Sequence, residues 1–342
     1  MSGDDLDLLK LGPYLEAFVP GFKGLQYAQK FPGGQSNPTY KLTADSGDYV
    51  LRRKPFGELL KSAHAIDREF RVMRALQASD APVAIAYHYC EDDAVIGAAF
   101  YVMEHLDGAV YWDPLIPEAD NALRSVIYDS MNRVLAAIHS VDLKVAGLED
   151  FGKPGAYFER QIGRWTKQYK ASETETIAEM DALIDWLEAN KVPDDSRATL
   201  IHGDYRLDNI MFERGSARAL AVLDWELSTI GHPFADLAYQ CMQWRLPNDT
   251  LSRGLGDIDR RAHGIPTEEE YVGSYCEQMR VGRIDNWEFY LAFSFFRLAA
   301  ILQGVRKRAL NGNASNQRAM EVGRLTRPLA RQAMELVAGE GR

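Results

Sequence analysis

Up to about residue 106 the apolar positions fall mainly in short runs broken by Gly, Pro and small polar residues, the pattern of strands and turns. Residues 27–42 read as strand, turn, strand, with the turn at Pro32-Gly33-Gly34-Gln35-Ser36-Asn37-Pro38. Residues 49–55 predict a strand ending in Arg52, Arg53 and Lys54, and 82–90 and 98–104 predict two more. Two stretches have helical spacing instead. In 1–20, Leu6, Leu8, Leu9, Leu11, Leu15 and Phe18 predict a short helix capped by Asp4 or Asp5. In 58–77, Leu59, Ala63, Ile66, Phe70 and Met73 form one apolar stripe, with Glu69 at its edge.

Beyond a linker that starts at Gly108 and carries Tyr111, Trp112, Pro114 and Pro117, helical periodicity dominates. Helices are expected over 123–141, 156–170, 177–190, 267–280, 287–309 and 317–337, and another opens at Gly231-His232-Pro233. The 156–170 helix pairs an apolar stripe, Phe158, Ile162, Trp165 and Tyr169, with a basic row, Arg160, Arg164 and Lys167. Such a row reads first as a solvated face, with a cleft wall that meets an anionic substrate as the alternative. Arg297 stands alone in the most apolar helix, where a core-facing cation needs a partner or an anion. Three short apolar runs, Thr199–Ile201, Ile210–Phe212 and 219–223, interrupt the helices and predict strand, polar loop, strand, turn, strand.

Composition narrows the possibilities. The chain has 342 residues, 46% apolar and 26% charged, enough for two lobes and a sizeable core. A formal net charge of −10 lacks the basic footprint of a nucleic-acid binder. Cys90, Cys241 and Cys276 are isolated and odd in number, which argues against a disulfide framework or zinc site and suits a reducing cytoplasm. The N-terminus is acidic and shows no apolar signal region. The longest apolar run, 291–305, contains Arg297 and Gln303 and reads as too short to span a bilayer, so no membrane partner is expected.

The polar loop carries the chemistry. It reads His202-Gly203-Asp204-Tyr205-Arg206-Leu207-Asp208-Asn209, and the third run ends in Leu223-Asp224-Trp225-Glu226. Phosphoryl transfer needs a carboxylate within reach of the attacking hydroxyl and hard oxygen ligands for magnesium on the nucleotide phosphates. Asp204 suits the first task; the Asn209 amide oxygen and the Asp224 carboxylate suit the second.

This pattern, H-G-D-x-x-x-x-N followed by L-D-W-E, resembles the aminoglycoside phosphotransferase family, small-molecule relatives of the protein kinases. The run HGDYRLDNIMF…AVLDWELSTIGHPFADLAY is most similar to the kinase-like domain that some proteins carry fused to an acyl-CoA dehydrogenase, and the likeness extends from about Gly33 to about Tyr239. The resemblance implies an α+β, bilobal, protein-kinase-like fold: a small antiparallel-sheet lobe over residues 1–106 and a mainly helical lobe over 107–342. It implies ATP and Mg2+ between them. The loop with Gly33, Gly34 and Ser36 would cover the phosphates. Arg52 would contact them, with Lys54 as the alternative, and Glu69 would hold that cation. Met103 and the backbone of Glu104 and Leu106 would receive the adenine. Asp236 would brace the catalytic loop. His232 stands where an acid is expected, which would alter charge near the metal.

The acceptor implied is a small-molecule hydroxyl. Aminoglycosides are cations, whereas Arg164, Arg206 and Arg297 are basic candidates for the acceptor side. A hydroxy acid or hydroxyacyl-CoA is therefore preferred. An antibiotic phosphotransferase and a non-catalytic nucleotide-binding module are the alternatives.

Overall fold

The protein is described by a computed structural model covering residues 6–32, 37–55, 65–312 and 318–339. Helix α1 (Leu8–Phe18) is capped by Asp7, whose carboxylate accepts from the Leu9 and Lys10 amides. The two candidate caps, Asp4 and Asp5, lie outside the described residues. Then come β1 (Leu25–Lys30), β2 (Thr39–Ala44), β3 (Gly47–Arg53), α2 (Ile66–Leu76), β4 (Ala86–Cys90), the short α3 (Asp93–Ile96) and β5 (Phe100–Glu104). The five strands pair antiparallel in the order β1-β2-β3-β5-β4.

Period-two alternation sets the faces of this sheet. Tyr40, Leu42 and Ala44 of β2 turn inward to meet Leu11 and Leu15 of α1 in a first core that also holds Leu51, Phe100 and Val102. The opposite face of β3 and β5 looks at α2. Arg52 and Tyr101 are direct cross-strand partners there. Arg53, one residue on, faces the other way: it is buried, lies over the Tyr40 ring and donates to the Tyr40 hydroxyl at 3.3 Å. The apolar side of α2, Val72, Met73 and Leu76, joins the larger core of the second lobe. Arg68 reinforces that union by donating to the Phe151 carbonyl at 2.8 Å. The expected helix over 58–77 is therefore seen from Ile66, its earlier part lying outside the described residues.

The second lobe contains β6 (Ala109–Val110), α4 (Asn121–His139), α5 (Tyr157–Ser172), α6 (Ala178–Ala189), β7 (Thr199–Ile201), β8 (Ile210–Phe212), β9 (Ala219–Val222), β10 (Thr229–Gly231), α7 (Phe234–Trp244), α8 (Glu268–Met279), α9 (Trp287–Leu310), α10 (Ala319–Gly323) and α11 (Thr326–Val337). β6, β8 and β9 form one small sheet, and β7 pairs antiparallel with β10. α9 packs against α5, α6, α7, α10 and α11.

Two expectations need correction. The helix expected over 317–337 is broken in two. Gly323 sits against α9, where an added Cβ would lie 2.4 Å from the Arg306 Cβ, and Pro328 has no N–H to donate to the Arg324 carbonyl. The apolar run judged too short for a bilayer belongs to the 24-residue α9, which among the described residues is long and apolar enough to cross one. Here 67% of its most apolar window is buried inside the protein, as in a core helix.

Candidate active site

The loop after β7 is held from below by buried groups. Asp236, in the first turn of α7, accepts from the His202 amide at 2.6 Å and the Gly203 amide at 2.8 Å. It is fully buried. Burial favours the protonated acid, but the hydrogen bonds from His139 and the His202 backbone outweigh it and hold the carboxyl below its ordinary range. His139 spans from Asp236, 3.4 Å away, to the Tyr275 hydroxyl at 2.7 Å. Gly203 has φ 84°, and a Cβ there would lie 2.6 Å from the Leu227 carbonyl oxygen, so the turn before Asp204 requires glycine. His202 donates from Nε2 to the Leu223 carbonyl at 2.8 Å and accepts the Asp204 amide at Nδ1, 3.2 Å, tying the loop to the end of β9.

Asp204 and Asn209 meet across that loop. The Asn209 Nδ2 donates to the Asp204 carbonyl at 2.8 Å and to its Oδ2 at 3.1 Å, which leaves the amide oxygen as the atom able to hold a metal. The Leu223 amide donates to the Asn209 carbonyl at 2.8 Å, so Asn209 lies next to the residue that precedes Asp224. The Tyr239 side chain lies close to the Asp204 carboxylate, and burial with that negative charge raises its pKa. Arg206 Nε lies 3.4 Å from Asp204 Oδ1, and its NH2 lies 3.2 Å from Asp208.

Asp224 has φ 62° and ψ 59°, a left-handed conformation costly for any residue with a Cβ. The turn Trp225–Leu227 secures it: buried Trp225 donates its indole N–H to the Val222 carbonyl at 3.0 Å, and Ser228 closes back on Trp225. From this position Asp224 accepts from Arg52 at 3.0 Å. The same guanidinium contacts Glu69 at 3.1 Å. Glu69 also accepts from Tyr101 at 2.9 Å and Asn37 at 3.2 Å. It is 1% exposed, and burial, with Asp224 adding to it against the pull of Arg52, pushes its pKa up to about 7. Carboxylate oxygens of Glu69, Asp224 and Glu226 lie within 4.8 Å of one another. A hard-oxygen set of this kind suits magnesium.

The structure thus brings Arg52, Glu69 and Asp224 together on one side, and Asp204, Asn209 and Arg206 on the other. Lys54 has no part in the Arg52 ion pairs; its amide donates to the Ala99 carbonyl. Met103 and Glu104 end β5, where Glu104 exchanges hydrogen bonds with the Ile85 backbone, and Leu106 follows, half-buried. Gly33, Gly34 and Ser36 lie outside the described residues. Arg164 is exposed on α5, 5.6 Å from the Trp165 ring. Arg297 is buried; it donates to the Gly203 carbonyl and lies 5.1 Å from the Tyr239 ring. That carbonyl is the partner a core-facing arginine requires.

His232 does not add charge near the candidate metal ligands. Burial pushes its pKa down to about 4, so it is neutral. Its Nδ1 accepts the Phe234 amide at 3.2 Å at the start of α7, and its ring stacks on Tyr290. His139, Tyr101, Tyr239 and Tyr275 were not legible as site residues. Their partners lie far off in sequence, 97 and 136 residues for His139, and no local motif marks them.

A small antiparallel sheet with one bracing helix, a mainly helical lobe and a loop of this design define a kinase-like phosphotransferase. The model of the phosphotransferase enzyme family matches residues 28–270, and the chain belongs to that family. It is 51% identical over 333 residues to acyl-CoA dehydrogenase family member 10 of Mus musculus, covering 96% of this chain but 31% of that protein, so it spans about a third of that relative's length. A crystal structure from Ralstonia eutropha JMP134, provisionally described as an aminoglycoside phosphotransferase, is 47% identical, with a TM-score of 0.90 over 98% of this chain and 99% of that one. The aminoglycoside phosphotransferase APH(4)-Ia, solved with ADP and hygromycin B, matches at TM-score 0.64 over 96% of this chain and 99% of its own; at 14% identity the likeness concerns the fold alone.

Proposed function

We propose that the chain transfers the γ-phosphoryl group of ATP, with magnesium, to a hydroxyl of an anionic small molecule, a hydroxy acid or hydroxyacyl-CoA. In this reading residues 1–106 receive the nucleotide and 107–342 carry the catalytic and acceptor groups. The observation that supports it best is the joint arrangement of Asp204, Asn209 and Asp224 with Arg52 and Glu69 facing them. Asp204 accepts the proton of the acceptor hydroxyl. The hydroxyl oxygen bonds to the γ-phosphorus, the bond to the β–γ bridging oxygen breaks, and ADP leaves with that electron pair. Asn209 and Asp224 would hold magnesium, which supplies neutralisation of phosphate charge. Arg52, fixed by Glu69, contacts the phosphates, and Met103, Glu104 and Leu106 border the adenine. Gly33, Gly34 and Ser36 would close over the phosphates. Catalysis is then positioning and charge neutralisation.

Arg206, shared by Asp204 and Asp208, is the group beside the loop that would meet an anion rather than an aminoglycoside. The side-chain neighbours of Asp204 are Arg206, Asn209 and Tyr239, and the nearby Asp208 is itself paired with Arg206. The fused-dehydrogenase relative points the same way, toward acyl-CoA chemistry. The test is ADP release from magnesium-ATP with hydroxy acids, their CoA esters, aminoglycosides, choline and sugars. Acceptor-dependent turnover is expected for an acid or its CoA ester and should fall about a thousandfold in Asp204→Asn. Turnover with aminoglycosides alone would overturn the acceptor class. A rise in melting temperature with ATP but no transfer to any acceptor would favour a nucleotide-binding module instead.

A further inference from the structure

Beside the catalytic loop, a cavity of about 320 Å³ opens between the linker after β5, the end of α7 and the segment around residue 252. Its lining includes Trp112, Arg206, Asp208, Gln243, Arg253 and Arg318. Three guanidinium groups therefore face one carboxylate. Two are already engaged: Arg206 between Asp204 and Asp208, and Arg318 with Glu321 at 3.2 Å and the Thr250 backbone at 3.1 Å. Arg253 is exposed, makes no ion pair among the described residues and lies 5.8 Å from the Trp112 ring. With Asp204, Asp208 and Glu321 counted, the cluster is balanced, and Arg253 is the arginine that no ion pair ties down. Two buried donors also lack hydrogen-bond partners there: the Gln243 Nε2 and the Arg206 Nε, whose 3.4 Å approach to Asp204 is an ion pair only. Buried donors left unpaired beside a cavity lined by three arginines, one of them outside any ion pair, call for an acceptor-rich ligand.

Arg206 joins this cavity to the chemistry, because it touches Asp204 on one side and lines the cavity on the other. We propose that the cavity binds the anionic end of the acceptor, a carboxylate or phosphate on the molecule whose hydroxyl sits at Asp204. Arg253 supplies a guanidinium held by no ion pair, Gln243 and Arg206 supply donors, and Trp112 covers the apolar part. This rests on the kinase reading and assigns the residues that select its substrate.

The experiment compares hydroxybutyrates, their methyl esters and glycerol 3-phosphate as acceptors for wild type, Arg253→Gln, Arg253→Lys and Arg253→Glu. The wild type should prefer an acid over its ester. Arg253→Gln should raise KM for the anion about tenfold and bring the acid-to-ester ratio close to one; Arg253→Lys should restore part of it and Arg253→Glu should invert it. Whether hydroxybutyrate or glycerol 3-phosphate suffers more tells carboxylate from phosphate. Transfer with the same acid-to-ester ratio in wild type and Arg253→Gln would overturn the assignment. If no acceptor is phosphorylated, the kinase reading fails separately, and calorimetric titration of hydroxybutyrate and glycerol 3-phosphate into protein saturated with AMP-PNP decides the cavity. Binding weakened by Arg253→Gln would support it, and no binding to wild type, or binding that Arg253→Gln leaves unchanged, would overturn it.

Discussion

Under the catalytic loop, Asp236 is buried as completely as Glu69 is on the opposite side of the cleft, yet their carboxyl groups behave in opposite ways. Asp236 lies below the usual carboxylate range; Glu69 is pushed up to about 7. The donors differ. Asp236 receives two backbone N–H groups and a buried histidine, all set by the fold. Glu69 receives side chains and shares its one cation with Asp224. Arg52 comes from β3 and Asp224 from beyond β9, 172 residues later. Backbone donors make a support that cannot change partners, while side-chain donors on separate elements make one that can. The loop proposed to orient the acceptor is built rigidly, and the cation proposed to meet the phosphates is held by a contact able to reorganise when nucleotide arrives.

The largest effect should come from breaking the rigid side. Asp236→Asn removes the anion and turns an amide N–H₂ toward backbone donors, so unfolding free energy in urea should drop by about 3 kcal/mol, with transfer lost alongside. Breaking the adaptable side should separate activity from stability. Arg52→Gln should lower kcat/KM for ATP about a hundredfold. Its melting temperature should fall less than that of Asp236→Asn, because Glu69 can take up a proton when its cation is gone.

The smallest and sharpest test is pH. Between the ordinary 4.5 of a glutamate and about 7, the folded protein holds the Glu69 proton more tightly than the unfolded chain does. Stability contributed by this group is therefore present at low pH and declines as pH rises through that window. The pairing with Arg52 needs the carboxylate form, so kcat/KM for ATP should move the other way, falling as pH drops below about 7. Glu69→Gln should flatten both profiles; a wild-type nucleotide profile flat from pH 8 to 5.5 would contradict this account.

The parts of the site that were legible in the sequence are those whose chemistry is local. Asp204, Asn209 and Asp224 sit in one loop–strand–strand unit, so spacing alone ordered them, and the flanking strands followed from the short apolar runs. Strand β10 was not legible: Thr229-Ile230-Gly231 is three residues long and exists through pairing with β7. Arg297 looked like a candidate for the acceptor because an isolated cation in an apolar helix demands a partner. That its partner is the Gly203 carbonyl depends on a contact 94 residues away. His139 gave no signal, since a histidine ending a helix is ordinary until its two long-range partners are known. His232 misled by alignment with an acid; its burial among aromatic rings keeps it neutral.

The left-handed backbone at Asp224 sets a conflict for anyone selecting this protein for heat resistance. Its dihedral angles are the ones glycine adopts without strain, whereas the proposed magnesium site asks for a carboxylate. A library screened only for survival at high temperature would tend to enrich glycine or asparagine at that position and collect robust but inert molecules. Screens that score turnover would keep aspartate and leave the strain in place. If Asp224 holds magnesium as proposed, durability and catalysis are selected in opposite directions at this one residue.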